Sequence, residues 1–98
     1  MIVSISPEQS VEADASLLAA VADPTRLGIL RQLAAGGPTC VCELDVGPTI
    51  PPNLLSYHLK VLREAGLVEA SRRGRRIDYT LADGALARLH AAIPGGSS

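Results

Sequence analysis

The apolar positions of this chain follow two periodicities. Over residues 51–63, PPNLLSYHLKVLR, Leu55, Leu59 and Leu62 recur at helical spacing and collect on one side of an axis that turns about 100° per residue. Asn53, Ser56, Tyr57, Lys60 and Arg63 fall on the other side. Upstream, Val11, Leu17, Leu18 and Val21 mark an Ala-rich helix over residues 10–21. It has too few large side chains to form a core alone, so it is expected to pack against a partner subunit or the last helix. Asp23-Pro24-Thr25-Arg26 reads as a helix start, because Asp23 can cap free amides and Pro24 loses no hydrogen bond at the first helical position. Leu27, Leu30 and Leu33 follow at core spacing, and Gly36-Gly37-Pro38 ends the helix. A shorter helix begins near Cys40, a turn spans residues 46–50, and Pro51 and Pro52 open the helix described first. After Ala65-Gly66 the period changes to two. Residues 67–71 read as a strand, and residues 77–81 as its return, with Ile77, Tyr79 and Leu81 alternating with Asp78 and Thr80. Gly74 centres the turn between them. Asp83 caps a last helix striped by Leu86, Leu89 and Ile93. The order is α-α-α-α-β-β-α, mainly α with a small β-hairpin.

Composition narrows this picture. A chain of 98 residues suits one domain over 1–98, with flexible ends expected at 1–9 and 94–98. Apolar residues make up 47% of it, which is globular rather than disordered. Phe and Trp are absent, so the core must be aliphatic. No apolar run reaches the roughly 18–20 residues of a membrane span. The first residues lack the basic region and long apolar run of a signal peptide. Two cysteines make no disulfide framework, and a reducing cytoplasm is the expected compartment.

The net charge is −1, yet its distribution is uneven. Residues 1–52 carry two basic side chains, Arg26 and Arg31, against six acidic ones. Residues 53–80 carry six, Lys60, Arg63, Arg72, Arg73, Arg75 and Arg76, against three acidic ones. The positive charge lies on the polar face of the 51–63 helix and around the hairpin tip, where it suits a polyanion. Asn53, Ser56, Tyr57, Lys60 and Arg63 are groups that read base edges and hold phosphates in a major groove. Arg72, Arg73, Arg75 and Arg76 form a wing that can reach a phosphate backbone or a minor groove. A solvated helix and a solvated turn are the competing readings, and four like charges around one turn argue against the second.

Cys40 is a candidate helix cap with Glu43 at the third helical position, a capping box with Cys where Ser or Thr is favoured. A thiol is a weak acceptor, so Cys40 points to thiol chemistry rather than capping strength.

Asp23-Pro24-Thr25-Arg26-Leu27, the run Ser56-Tyr57-His58-Leu59-Lys60-Val61-Leu62-Arg63-Glu64-Ala65-Gly66-Leu67-Val68 and the Gly74 wing together resemble the ArsR/SmtB family of metal-responsive repressors. The resemblance covers roughly residues 15–90. It implies a winged helix-turn-helix, a homodimer, and repression by binding a palindromic operator that an inducer weakens. Family members often carry Ser-Gln-Pro at the start of the recognition helix. Pro51, Pro52 and Asn53 stand there in this chain, which leaves base contacts to Asn53, Ser56 and Tyr57. Cys40-Val41-Cys42-Glu43-Leu44 is similar to the Cys-Val-Cys-Asp-Leu element of arsenic-sensing members, which implies that Cys40 and Cys42 bind arsenite, antimonite or cadmium. The family's third Cys is Asp45 here, so a third ligand would be water, a small thiol or a group from another chain. Residues two apart on a regular helix point apart, so ligation needs Cys40 outside the helix or an unwound first turn. Structural thiols and a redox pair are the alternatives. The last-helix site of zinc and cobalt sensors is not expected, since Ala85 replaces a His and the helix stops at Pro94. Nickel and zinc at another site stay open, and no metal is required for folding. His58 falls on the leucine side and reads as a hydrogen-bonded core-edge residue, and His90 as an interface residue.

Two function classes follow. The first is a DNA-binding repressor that dimerises through its N- and C-terminal helices. The second is a winged-helix interaction module, or a regulator that senses through a partner protein. No phosphate loop is present and neither His has an evident nucleophile or acid partner, so no enzyme is expected.

Overall fold

The computed structural model describes residues 11–44 and 50–94. Its elements run α1 (Val11–Val21), α2 (Pro24–Gly36), β1 (Thr39–Cys40), a 3-10 turn (Val41–Glu43), α3 (Pro52–Glu64), β2 (Val68–Arg73), β3 (Arg76–Leu81) and α4 (Ala85–Ala91). The expected arm over residues 1–9 lies outside the described residues. So do most of the turn over 46–50 and the tail after Pro94.

Helix α2 starts as the sequence implies. Asp23 Oδ2 accepts the Thr25 amide at 2.9 Å and the Arg26 amide at 3.1 Å, with Pro24 at the first position. Its buried face is rotated from the expected one. Ile29, Leu30 and Leu33 are buried, Ile29 completely, while Leu27 is 40% exposed. The three buried residues centre about 110° from Leu27 around the axis, so the period-three reading drifted off the true face. Leu59 and Leu62 of α3, Leu67, Val68 of β2, Tyr79 of β3 and Ala85 of α4 complete the core. Leu17 and Val21 of α1 and Leu89 of α4 pack on its edge.

The short helix expected near Cys40 is a single 3-10 turn among the described residues, and a two-residue strand, β1, precedes it. Strand β1 pairs with β3 at Thr39–Tyr79 and Cys40–Asp78, giving an antiparallel sheet in the order β1-β3-β2. The hairpin is longer than expected. Strand β2 pairs with β3 from Val68–Leu81 to Arg73–Arg76, so only Gly74 and Arg75 form the turn. Gly74 has φ 61° and Arg75 has no positive φ, which matches a type II′ hairpin turn. Because β3 is the central strand, Asp78 is 8% exposed rather than facing solvent. Asp83 does not cap the last helix. Gly84 occupies the cap with φ 77° and no side-chain bond.

The Asp23 cap yields a prediction. Hydrogen bonding from the Arg26 amide, above all, holds the Asp23 carboxyl below its ordinary value of 3.8. Its stabilising contribution is therefore present above pH 3.8 and is lost as pH falls through the lowered folded-state value. Asp23→Ala is expected to cost about 1 kcal/mol in urea unfolding at neutral pH, with the difference from wild type shrinking in acid.

Candidate nucleic-acid interface

Helix α3 divides along the line its sequence draws. Leu59, Leu62 and His58 are buried and Leu55 is half-buried, while Asn53, Ser56, Tyr57, Lys60 and Arg63 are all exposed. The leucines supply non-directional attachment. A polar contact fixes how the helix is turned. Arg26 Nη1 lies 3.0 Å from His58 Nδ1, and Arg26 Nε donates to the Ala20 carbonyl at 2.6 Å. A guanidinium only donates, so His58 Nδ1 accepts. Asp23 Oδ2 stands 3.9 Å from the same ring nitrogen. The Tyr57 ring leans on His58 at 5.7 Å between centroids, tilted by 59°. One chain of contacts thus runs from the end of α1 through Arg26 and His58 to Tyr57 on the exposed polar face. His58 is the core-edge residue the sequence suggested. Arg26 was missed as a positioning residue, because its partner lies 32 positions away.

The four wing arginines do not play equal parts. Arg76 Nη2 lies 3.3 Å from Asp78 Oδ1 and 3.6 Å from Glu43 Oε1, and Arg73 Nε lies 3.9 Å from Asp78 Oδ2. The Asp78 carboxylate, foremost among its neighbours, raises the Arg76 pKa. Arg72 and Arg75 are exposed and form no ion pair among the described residues. On α3, Lys60 meets Glu64 at 4.0 Å in a surface pair that contributes little.

The two thiols are brought together by the strand that the sequence did not signal. Cys40 is the buried end of β1, with φ −66° and ψ 144°, and Cys42 is exposed in the 3-10 turn. Cys40 is therefore outside the helix, the condition that ligation needs, and the sulfurs are 2.6 Å apart. The capping box is present, with the Cys40 amide donating to Glu43 Oε1 at 3.2 Å and the Cys42 amide to Cys40 Sγ at 3.4 Å. The Cys40 hydrogen bond, first, and desolvation push the Cys42 thiol above its ordinary pKa. Among the described residues no three His, Cys, Asp or Glu side chains gather to hold a metal ion. The donor set is two sulfurs, which fits a thiophilic ion with its other positions filled from elsewhere.

The sequence profile of the family described as bacterial regulatory protein, arsR family, matches residues 23–70, from the α2 cap through α3 into β2. The HTH-type transcriptional repressor SmtB of Mycobacterium tuberculosis is 41% identical over 83 residues, covering 85% of this chain and 61% of that protein. The arsenical resistance operon repressor of Bacillus subtilis is 41% identical over 64 residues, covering 65% and 61%. A homodimeric winged helix-turn-helix DNA-binding domain from Mycobacterium bovis, described as a possible ArsR-family regulator, superposes with a TM-score of 0.70. It is 32% identical and covers 92% of this chain and 84% of that one. This chain belongs to the ArsR family. It spans 61% of the length of the SmtB repressor, and its fold is the winged helix-turn-helix of ArsR regulators, a family of transcriptional regulators rather than enzymes.

Within that family fold, α1 and α4 each bury a single residue, Ala20 and Ala85. A groove of about 700 Å³ is lined by Ala13, Asp14 and Leu17 of α1, Ala65 after α3, and Arg88 and Ala91 of α4. Val11 of α1, Leu86 of α4 and Ile93 just after α4 are exposed. The Arg88 guanidinium donates to the Gly66 carbonyl, tying α4 to the exit of α3.

The Arg26 contacts make a testable distinction. Arg26→Ala removes two side-chain hydrogen bonds and is expected to lower stability by about 1–3 kcal/mol. It should also weaken DNA binding while leaving the slope of log affinity against log salt unchanged. A phosphate contact, once removed, lowers that slope by about one.

Proposed function

We propose that this ArsR-family chain is a sequence-specific transcriptional repressor that binds a palindromic operator as a cytoplasmic homodimer and is released by a thiophilic ion. The observation that carries the reading is the exposed polar face of α3, Asn53, Ser56, Tyr57, Lys60 and Arg63, beside a wing whose Arg72 and Arg75 are unpaired among the described residues. In this reading α3 enters the major groove. Arg72, Arg73, Arg75 and Arg76 hold the backbone, with Arg73 and Arg76 exchanging carboxylates for phosphates. The α1–α4 groove, with the exposed apolar residues on and next to these helices, is the dimer surface, and the homodimeric neighbour supports that assembly. The described helices include none long and apolar enough to cross a membrane.

Cys40 and Cys42 are the proposed sensing thiols for arsenite, antimonite or cadmium, a choice supported by the similarity to an arsenical resistance operon repressor. Such an ion would supply bonds to sulfur, with water, a small thiol or a partner group completing its shell. Cys40 is paired to β3, and Glu43 joins the thiol turn to Arg76, so a change at the sulfurs acts on the wing sheet as well as on the approach to α3. Cadmium loading would displace the thiol protons and strengthen as pH rises, whereas arsenite or antimonite loading would pass each thiol proton to a hydroxide that leaves as water.

Fluorescence anisotropy on the DNA upstream of the chain's own gene tests this under reducing conditions. Arsenite or cadmium is expected to weaken wild-type binding about tenfold or more. The variant carrying both Cys40→Ser and Cys42→Ser should stay bound. Equal affinity for scrambled DNA would remove the specific reading and favour a protein-interaction module. Tight binding that is indifferent to every ion would make the thiols structural.

A further inference from the structure

We infer that Leu54 is a specificity-determining residue that reads the 5-methyl group of a thymine in the operator. The inference rests on the DNA-binding reading above and concerns a residue outside the polar set already assigned to it.

Leu54 breaks the rule that every other leucine of α3 obeys. Leu55 is half-buried, Leu59 and Leu62 are buried, and Leu54 is 41% exposed. It lies in the first turn of the helix, where its amide bonds to the Pro51 carbonyl at 3.0 Å. Recognition helices of this class present their N-terminal residues to base edges. Asn53 precedes it, and Tyr57, 56% exposed, follows at i+3 on the same side. Leu54 lies about 60° around the axis from Tyr57, so the two exposed side chains form an apolar border along one edge of the polar face.

The chemistry of the groove leaves this border one suitable occupant. Major-groove edges present hydrogen-bond donors and acceptors, and thymine alone among the four bases adds an apolar group there. Leu54 has no side-chain donor or acceptor, so it reads neither a guanine nor a phosphate. It would gain by covering a methyl group and would lose by covering a polar edge without replacing its water. Leu54 thus favours thymine over cytosine at one position of each half-site. The Arg26–His58–Tyr57 contacts give this border a fixed orientation, so the position read is a single base pair.

The test removes the methyl group and nothing else. An operator is selected from random duplexes with the wild-type chain, and each thymine is then replaced in turn by deoxyuridine. Binding is read by anisotropy for wild type, Leu54→Ala and Leu54→Met, with thermal unfolding to confirm that each variant is folded. One deoxyuridine position per half-site is expected to weaken wild-type binding about fourfold, the worth of one buried methyl group. Leu54→Ala should be indifferent to that replacement, and Leu54→Met should restore the effect. The inference is overturned if no position affects the wild type, or if Leu54→Ala keeps the full methyl effect. Failure to select any operator would overturn the DNA-binding reading along with it. An operator selected without a methyl effect would overturn the role of Leu54 alone.

Discussion

The Arg26 guanidinium holds α3 from below, reaching the Ala20 carbonyl with one nitrogen and His58 with another. Hydrophobic burial of Leu59 and Leu62 attaches the helix but does not choose its rotation, because that force has no direction. In the proposed reading α3 presents Asn53, Ser56 and Tyr57 to base edges, which requires its rotation to be fixed. The Arg26–His58 contact does this at a point shared by the end of α1 and the start of α2. Asp23 serves the same junction twice, capping α2 and standing beside the His58 ring.

The second organising feature is the strand β1. It makes the wing a three-stranded sheet and turns the outer face of β3 into partly covered ground, which explains why Asp78 is buried and draws in Arg73 and Arg76. It also places Cys40 in the wing sheet rather than on a helix, so that two residues of a Cys-X-Cys run bring their sulfurs together. Glu43 closes the arrangement, accepting the Cys40 amide with one oxygen that also faces Arg76. The thiols, the capping box and the wing are one connected unit.

Much of this was legible in the sequence, for identifiable reasons. The two faces of α3, the Asp23 cap, the Gly74 turn and the Cys40–Glu43 box are local features, set by residues within four positions of one another. The misses are of other kinds. Strand β1 is two residues long, too short to show an alternation, and it exists because β3 offers an edge. Asp78 follows from β1. Leu27 was misplaced because a spacing of three drifts around a helix of 3.6 residues per turn. Gly84 rather than Asp83 caps α4 because the chain enters that helix with a left-handed residue, which Gly adopts freely. The exposure of Leu54 and the role of Arg26 depend on tertiary packing, and neither has a local signature.

In the proposed function α3 and the wing together form a DNA-binding surface, with Arg72 and Arg75 on phosphates. The most direct measurement is the affinity for a selected operator across a salt series, comparing wild type with the double variant Arg72→Ala, Arg75→Ala. Log affinity is expected to fall linearly with log salt, and the double variant, still folded, to have a slope smaller by about two. An unchanged slope would contradict that reading, because the wing would then hold no phosphate.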